Sequence, residues 1–432
     1  MSAVFIGVLC AGSGLYADDW AGFQHDVQHS GDAMVVFPNK EIKPLWTFAP
    51  TQKVWNYKKG SNVWSSSACI ADVNGRAMVF AGLYNNNLYA IDAVSGNIAW
   101  RFIAGNSINS APFFSVVNSR PTVYFASGDR AIYALDASTG EKIWSYETLE
   151  WNYAVSEAIV SSPVVISVDG RPALACGVWN NSQEPQNSFQ RGEFFVLDAA
   201  GGHKIYSKVL SSTPLNSPAF AYINNKPVVF MSSRDGNVFA IDASKGETIW
   251  KITSCGELYS SPSVYVNGDK GISRLFIGSR FGNLYCLDAQ TGKIVWTAKV
   301  GHAIDSTPAI TTINDRVIIY AGSYDRNIYA FDADTGKEVW RFRTEDYISS
   351  SCAIARMGNE TIVFVHSLDN KLYCLNGENG SLIWKVVLGK LIWGYNTRGD
   401  TIWSSPAVGT AGDKSILIFP CYDSKLYAFY AG

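Results

Sequence analysis

Three stretches of this chain set Trp-x-Tyr about ten residues ahead of a serine pair: VWNYKKGSNVWSSS from Val54, EWNYAVSEAIVSSP from Glu150 and IWGYNTRGDTIWSSP from Ile392. Such aromatic faces with polar tips suit stacking on sugar rings, cations or the exposed side chains of a partner. The candidate binding residues are therefore Trp55, Tyr57, Trp151, Tyr153, Trp393 and Tyr395, with Trp64 and Trp403 directly before two of the serine pairs. Trp179 joins them as the first residue of a polar insertion, WNNSQEPQNSFQRGEF. Arg398 and Asp400, like Lys58, Lys59 and Glu157, share these loops and would orient a polar ligand. The competing reading is structural: each Trp-x-Tyr loop folds back and covers apolar surface beside it.

Covalent and metal chemistry find less support. The five histidines, His25, His29, His203, His302 and His366, form neither HxH nor HExxH, so zinc has no spaced ligand pair. Serine pairs recur, as at Ser65-Ser66, Ser161-Ser162, Ser260-Ser261 and Ser404-Ser405, with Asn109-Ser110, Asn216-Ser217, Asp305-Ser306 and Ser349-Ser350 between them. No histidine keeps register with them, so a Ser/His/Asp nucleophile is not indicated. They are expected to satisfy strand-end backbone groups around a hydrated bore. No CxxC or CxxCH occurs among the eight cysteines. Cys286 and Cys374 take slots that Ala90, Ala134, Ala240 and Ala330 fill elsewhere, which marks them as small buried hydrophobes.

The elements that must position these residues are written in a repeat. LYAIDAVSGNIAW ends at Trp100, IYALDASTGEKIW at Trp144 and FFVLDAAGGHKIY at Tyr206. VFAIDASKGETIW, LYCLDAQTGKIVW, IYAFDADTGKEVW and LYCLNGENGSLIW follow, ending at Trp250, Trp296, Trp340 and Trp384, and a partial copy, LYAFYAG, starts at Leu426. A period of roughly 44 residues means a solenoid or propeller. Each unit reads as four short antiparallel strands, A to D, rich in Val, Ile, Tyr and Phe. Asp-Ala-x-Thr/Ser-Gly between C and D is a tight turn, so those aspartates recur for turn chemistry. The last unit lacks its fourth strand, and PLWTF at Pro44–Phe48 is an orphan fourth strand. Pairing the two predicts an all-β, eight-bladed propeller closed by strand exchange between the termini. Strand parity then puts B–C turns and D–A crossovers on one face, here called the top, together with every candidate aromatic.

The phrase LYALDAxTGxxxW, with its SSPA and YAGS companions, resembles the PQQ-binding-like β-propeller repeat family from about Trp20 to Gly432. The leader WAGFQHDVQHSGD is similar to the lead-in of many exported members. That family includes quinoprotein alcohol and sugar dehydrogenases, outer-membrane assembly scaffolds and exported proteins of other kinds. The dehydrogenase resemblance implies PQQ under an adjacent-cysteine disulfide, a Trp beneath it, and Ca²⁺ held by Glu, Asn and Asp; no Cys-Cys pair is present. The scaffold resemblance implies a propeller standing alone, usually lipid-anchored, and Val8-Leu9 before Cys10 fits a lipoprotein cleavage site poorly.

Residues 1–17, MSAVFIGVLCAGSGLYA, read as a secretory signal ahead of Asp18 and Asp19, or else as a buried first strand; residues 18–432 then form one domain. The net charge of −2 with no basic run argues against nucleic acid or an anionic membrane surface. No later stretch holds eighteen consecutive apolar residues. The expectation is an exported, periplasmic or extracellular, monomeric and non-catalytic binding or scaffold propeller. Its aromatic top face would take a protein partner or a carbohydrate-like ligand, with no resident cofactor or metal. The alternatives are a PQQ-dependent dehydrogenase and an outer-membrane assembly scaffold.

Overall fold

A computed structural model describes residues 26–38, 42–50, 66–148, 161–180, 191–210, 212, 214, 216–253, 255–388, 404–421 and 425–431. Among these residues there is no helix, and the strands form eight separate sheets. Seven sheets take all four strands from consecutive sequence, as expected of an eight-bladed propeller. In the eighth, Leu426–Ala431 pairs antiparallel with Ile42–Phe48, so the N-terminal strand closes the ring where the sequence required it. The top face is also as parity demanded. Gly128 N donates to Ser107 O (2.7 Å), Arg280 N to Glu257 O (2.9 Å) and Tyr324 N to Ala303 O (2.9 Å), tying B–C turns to neighbouring crossovers.

The repeated phrase builds the joint between blades. Every C–D pairing shifts register beside the recurring aromatic, for example between Ala330 and Phe331 opposite Trp340. Such a bulge re-aims a side chain, and here it carries the ring onto the next blade. Trp340 Nε1 donates to Gly377 O at 2.9 Å, Trp296 to Ala333 O at 2.8 Å and Trp100 to Ala137 O at 2.9 Å. Tyr206 preserves the link through its hydroxyl, 2.9 Å from Ala243 O. The turn glycine must be glycine: at Gly336, φ is +69° and a Cβ would sit 2.6 Å from the Trp296 ring. The turn aspartates are structural too, since Asp92 accepts from Ser95 N (2.8 Å) and Arg76 Nε (2.7 Å).

The lead-in departs from the expected hydrated bore. Residues 27–31 run around the inner wall, and their carbonyls accept from strand A of four successive blades. The bonds are Phe220 N to Val27 O (2.6 Å), Val264 N to Gln28 O (3.0 Å), Ile310 N to Ser30 O (2.7 Å) and Ile354 N to Gly31 O (2.7 Å). Asp32–Phe37 then descends as a fifth, parallel strand against Ala353–Met357 of blade seven. The chain itself therefore threads the channel, because an inner strand edge offers backbone donors that a buried bore leaves without partners. His29 docks this segment through a 2.8 Å hydrogen bond between its ring Nδ1 and Pro262 O. Burial pushes its pKa down to about 4.

Candidate functional site

The serine ring is part of the wall. Ser306 Oγ donates to Gly322 O (2.9 Å) and accepts from Gly322 N (3.0 Å), and Ser66, Ser110 and Ser350 bond the same way within their blades. The following residue links blade to blade: Thr307 N to Ser351 Oγ (2.9 Å), Ser351 N to Ser405 Oγ (3.1 Å) and Ser405 N to Ser67 Oγ (2.9 Å). In blades one, two, six and seven the ring begins one residue later than the sequence pairs implied, at Ser66, Ser110, Ser306 and Ser350. The backbone-satisfying role stands. It also frees Asp305 and Ser349, placed in the ring by sequence, to stand one residue above it.

The described cysteines, Cys69, Cys176, Cys255, Cys286, Cys352, Cys374 and Cys421, are all buried thiols outside any disulfide. Burial pushes Cys176 and Cys286 up to about 12, so neither is a thiolate nucleophile near neutrality. No group of three His, Cys, Asp or Glu side chains among the described residues is placed to hold a metal.

The top face carries a cluster that the sequence reading missed. Arg280, in the B–C turn of blade five, lies 3.8 Å above the Tyr259 ring centroid. Its Nη2 donates to Asp305 Oδ2 at 3.0 Å and its Nε to Oδ1 at 3.3 Å. The Asp305 side chain is 4% exposed. Burial pushes its carboxyl above the usual range, against the pull of Arg280 and of a hydrogen bond from Tyr324. Tyr324 packs against Tyr347 at 5.6 Å between centroids and against His302 at 6.1 Å. Arg326 caps Tyr347 at 5.6 Å, and Arg234, facing Glu257 at 3.6 Å, approaches Tyr259. The result is an arc of rings and guanidinium groups running from the B–C turn of blade four to the crossover into blade seven.

One member breaks the repeat outright. Asp129, Asp325 and Asp369 occupy the third position of their B–C turns. There they bond the Tyr133, Tyr329 and Tyr373 hydroxyls at 2.7, 2.6 and 2.5 Å. Blade five has Phe281 in that position, 65% exposed, and Asn283 Nδ2 takes over the Tyr285 hydroxyl at 2.9 Å. A turn bond has been given up for an exposed phenyl ring. That signal was legible: aligning the turn SRFG with SGDR and SYDR exposes the substitution.

Of the candidates named from sequence, Trp55, Tyr57, Trp64, Trp151, Tyr153, Trp393, Tyr395, Arg398, Asp400 and Trp403 lie outside the described residues, as do Lys58, Lys59 and Glu157. The backbone of Trp179 closes strand B of blade three, Arg171–Asn180, opposite Gly192. It stands at the stem of the B–C insertion, on the face expected.

A quinone with calcium would need carboxylate and amide ligands at this mouth. The described residues do not fit it, because Asp305 is already held by Arg280 and Tyr324. Fold comparison places the chain among propellers of several activities. It is similar to the quinohemoprotein alcohol dehydrogenase from Comamonas testosteroni (TM-score 0.70, 12% identity), covering 96% of this chain and 81% of that one. It is also similar to a europium-containing methanol dehydrogenase (TM-score 0.69, 13% identity, 96% and 98% covered). BamB from Moraxella catarrhalis aligns with a TM-score of 0.60 and 18% identity over 90% of this chain and 100% of that one. At these identities the likeness is one of fold. A comparison with curated proteins finds no match. The family model described as outer membrane protein assembly factor BamB matches residues 44–229 and 234–413, most of the sequence, and the chain belongs to that PQQ-like repeat family.

Proposed function

We propose that this protein is an exported, non-catalytic binding scaffold that engages its partner or ligand through the top face of the propeller. The observation that carries the reading is the clustering of irregular residues there. Phe281, Tyr259, Arg280, Tyr324 and Tyr347 all stand in B–C turns or D–A crossovers, the segments where the repeat is free to vary. Loops held on a rigid scaffold are where binding residues concentrate. Membership of the assembly-factor family supports a scaffold. Ser66, Ser110, Ser306 and Ser350 satisfy backbone groups of their own blades, and the described cysteines are buried, which favours recognition over nucleophilic chemistry.

The test is a paired variant, Phe281→Ala with Tyr347→Ala. Phe281 is 65% and Tyr347 42% exposed, so the melting temperature should stay within a few degrees of the parent. Replacing the parent gene with this variant should reproduce the phenotype of a deletion. Full function in the variant refutes the top-face reading. Alcohol-dependent dye reduction after addition of PQQ and Ca²⁺ would overturn the non-catalytic part.

A further inference from the structure

We propose that Asn267 is a self-modification site, where the backbone nitrogen of Gly268 attacks the side-chain amide and converts the asparagine to aspartate and isoaspartate. The chain contains four Asn-Gly bonds, at Asn74, Asn267, Asn376 and Asn379. Glycine has no Cβ to hinder approach through its own nitrogen, so the dipeptide alone leaves the four equivalent. The structure separates them. The attacking nitrogen must be free, because an N–H that already donates a hydrogen bond has to break it first. Three are held: Gly75 N donates to Asp72 Oδ1 at 2.6 Å, Gly377 N to Thr361 O at 2.8 Å and Gly380 N to Asn376 O at 2.8 Å. Gly268 N has no hydrogen-bond partner among the described residues.

Turn length accounts for the difference. In blade one Val73 pairs with Arg76, so Asn74 and Gly75 fill a two-residue hairpin at φ +56° and +83°. In blade five Asn267 pairs with Ile272, and residues 268–271 form a wider, exposed turn. A Cβ added at Gly268 would meet nothing within 4 Å, so the peptide has room to swing toward the side chain. The electrophile is also prepared. Asn267 Oδ1 accepts from Lys270 N at 3.1 Å, which stabilises negative charge on that oxygen during attack, and Nδ2 makes one long bond, 3.3 Å, to the Tyr265 hydroxyl. In the step itself the bond from Gly268 N to Asn267 Cγ forms and the Cγ–Nδ2 bond breaks. The Gly268 amide proton passes through water to the departing nitrogen, which leaves as ammonia. Water then opens the cyclic imide at either carbonyl, giving aspartate or isoaspartate. Each product places a new carboxylate beside Asp269, and isoaspartate adds a methylene to the backbone of the turn.

The test is incubation of the full chain in mildly alkaline buffer, followed by peptide mass mapping, with isoaspartyl methyltransferase labelling to read isoaspartate. Asn267 should convert roughly tenfold faster than Asn74, Asn376 or Asn379, the factor expected where attack need not first break a hydrogen bond. In urea the gap should close, because the held nitrogens are then released. Gly268→Ala should slow conversion at Asn267 several-fold with the melting temperature unchanged, since the methyl hinders the attacking nitrogen and clashes with nothing in the fold. Equal rates at the four sites of the folded chain, faster conversion at any of the three held sites, or a preference for Asn267 that survives in urea overturns the proposal.

Discussion

Replacing Trp340 with alanine measures the blade joint directly. The indole is 8% exposed, packs against Tyr320 at 5.6 Å and donates to Gly377 O across the blade boundary. Losing a buried indole costs about 3–5 kcal/mol through lost transfer energy and the cavity left behind. The lost bond from Nε1 to Gly377 O is part of that cost, at about 1 kcal/mol. Trp384 is the internal control. It holds the same register slot in blade seven and meets Phe364 at 5.7 Å, yet its Nε1 has no hydrogen-bond partner among the described residues. Trp384→Ala should therefore destabilise by roughly 1 kcal/mol less than Trp340→Ala. Trp340→Tyr, copying blade three, should recover most of the loss because Tyr206 keeps both ring and donor. Urea unfolding followed by far-UV circular dichroism reads all three. A Trp384→Ala loss equal to or larger than that of Trp340→Ala refutes the assignment of energy to the inter-blade bond.

Other perturbations probe the ring and its plug. Gly336→Ala must drive a Cβ into Trp296 at positive φ, and a loss of about 2 kcal/mol or more is expected in the same assay. Deleting residues 42–48 opens the ring and should lower the melting temperature of the whole array; a truncated chain melting like the parent contradicts strand-exchange closure. Burial holds His29 near 4 and His366 near 3, so both are neutral when folded, whereas unfolding frees them to titrate near 6.5. Their contribution is whole above 6.5 and declines as pH falls below it, ending near 4 for His29 and near 3 for His366. Each costs about 1.4 kcal/mol per pH unit across its window. The slope of stability between pH 6.5 and 4.5 should flatten in His366→Leu, and an unchanged slope would show that this ring is not buried neutral.

Architecture was legible in the sequence because a repeat averages away local ambiguity. The Ala and Gly of one phrase meet the Trp of the phrase before it, and seven full copies spell out the chemistry of that joint. Closure was legible for the same reason, since Trp46 was a fourth-strand residue without a third strand before it. The channel plug was not. Residues 26–37 carry no repeat, and their hydrogen bonds reach blades that are far away in sequence, which periodicity cannot see. The serine ring was misplaced by one residue in four blades because Ser-Ser, Asn-Ser and Ser-Thr runs offer two equivalent registers. At the site, attention went to tryptophans in long crossovers. The cluster around Arg280 was overlooked because its members sit in short, regular turns, each only one substitution away from the pattern.

Site-specific photocrosslinking locates the surface on which the propeller recognises its partner. A benzophenone amino acid placed at Phe281 or Tyr347 samples the top face, and the same probe at the exposed Ile294 of an outer strand samples the blade edge. In cells that make the protein, the top-face probes should yield a discrete adduct, to protein or to glycan, that the Ile294 probe does not. Adducts formed only from Ile294, with Phe281 and Tyr347 silent, would place recognition on the rim and contradict the account.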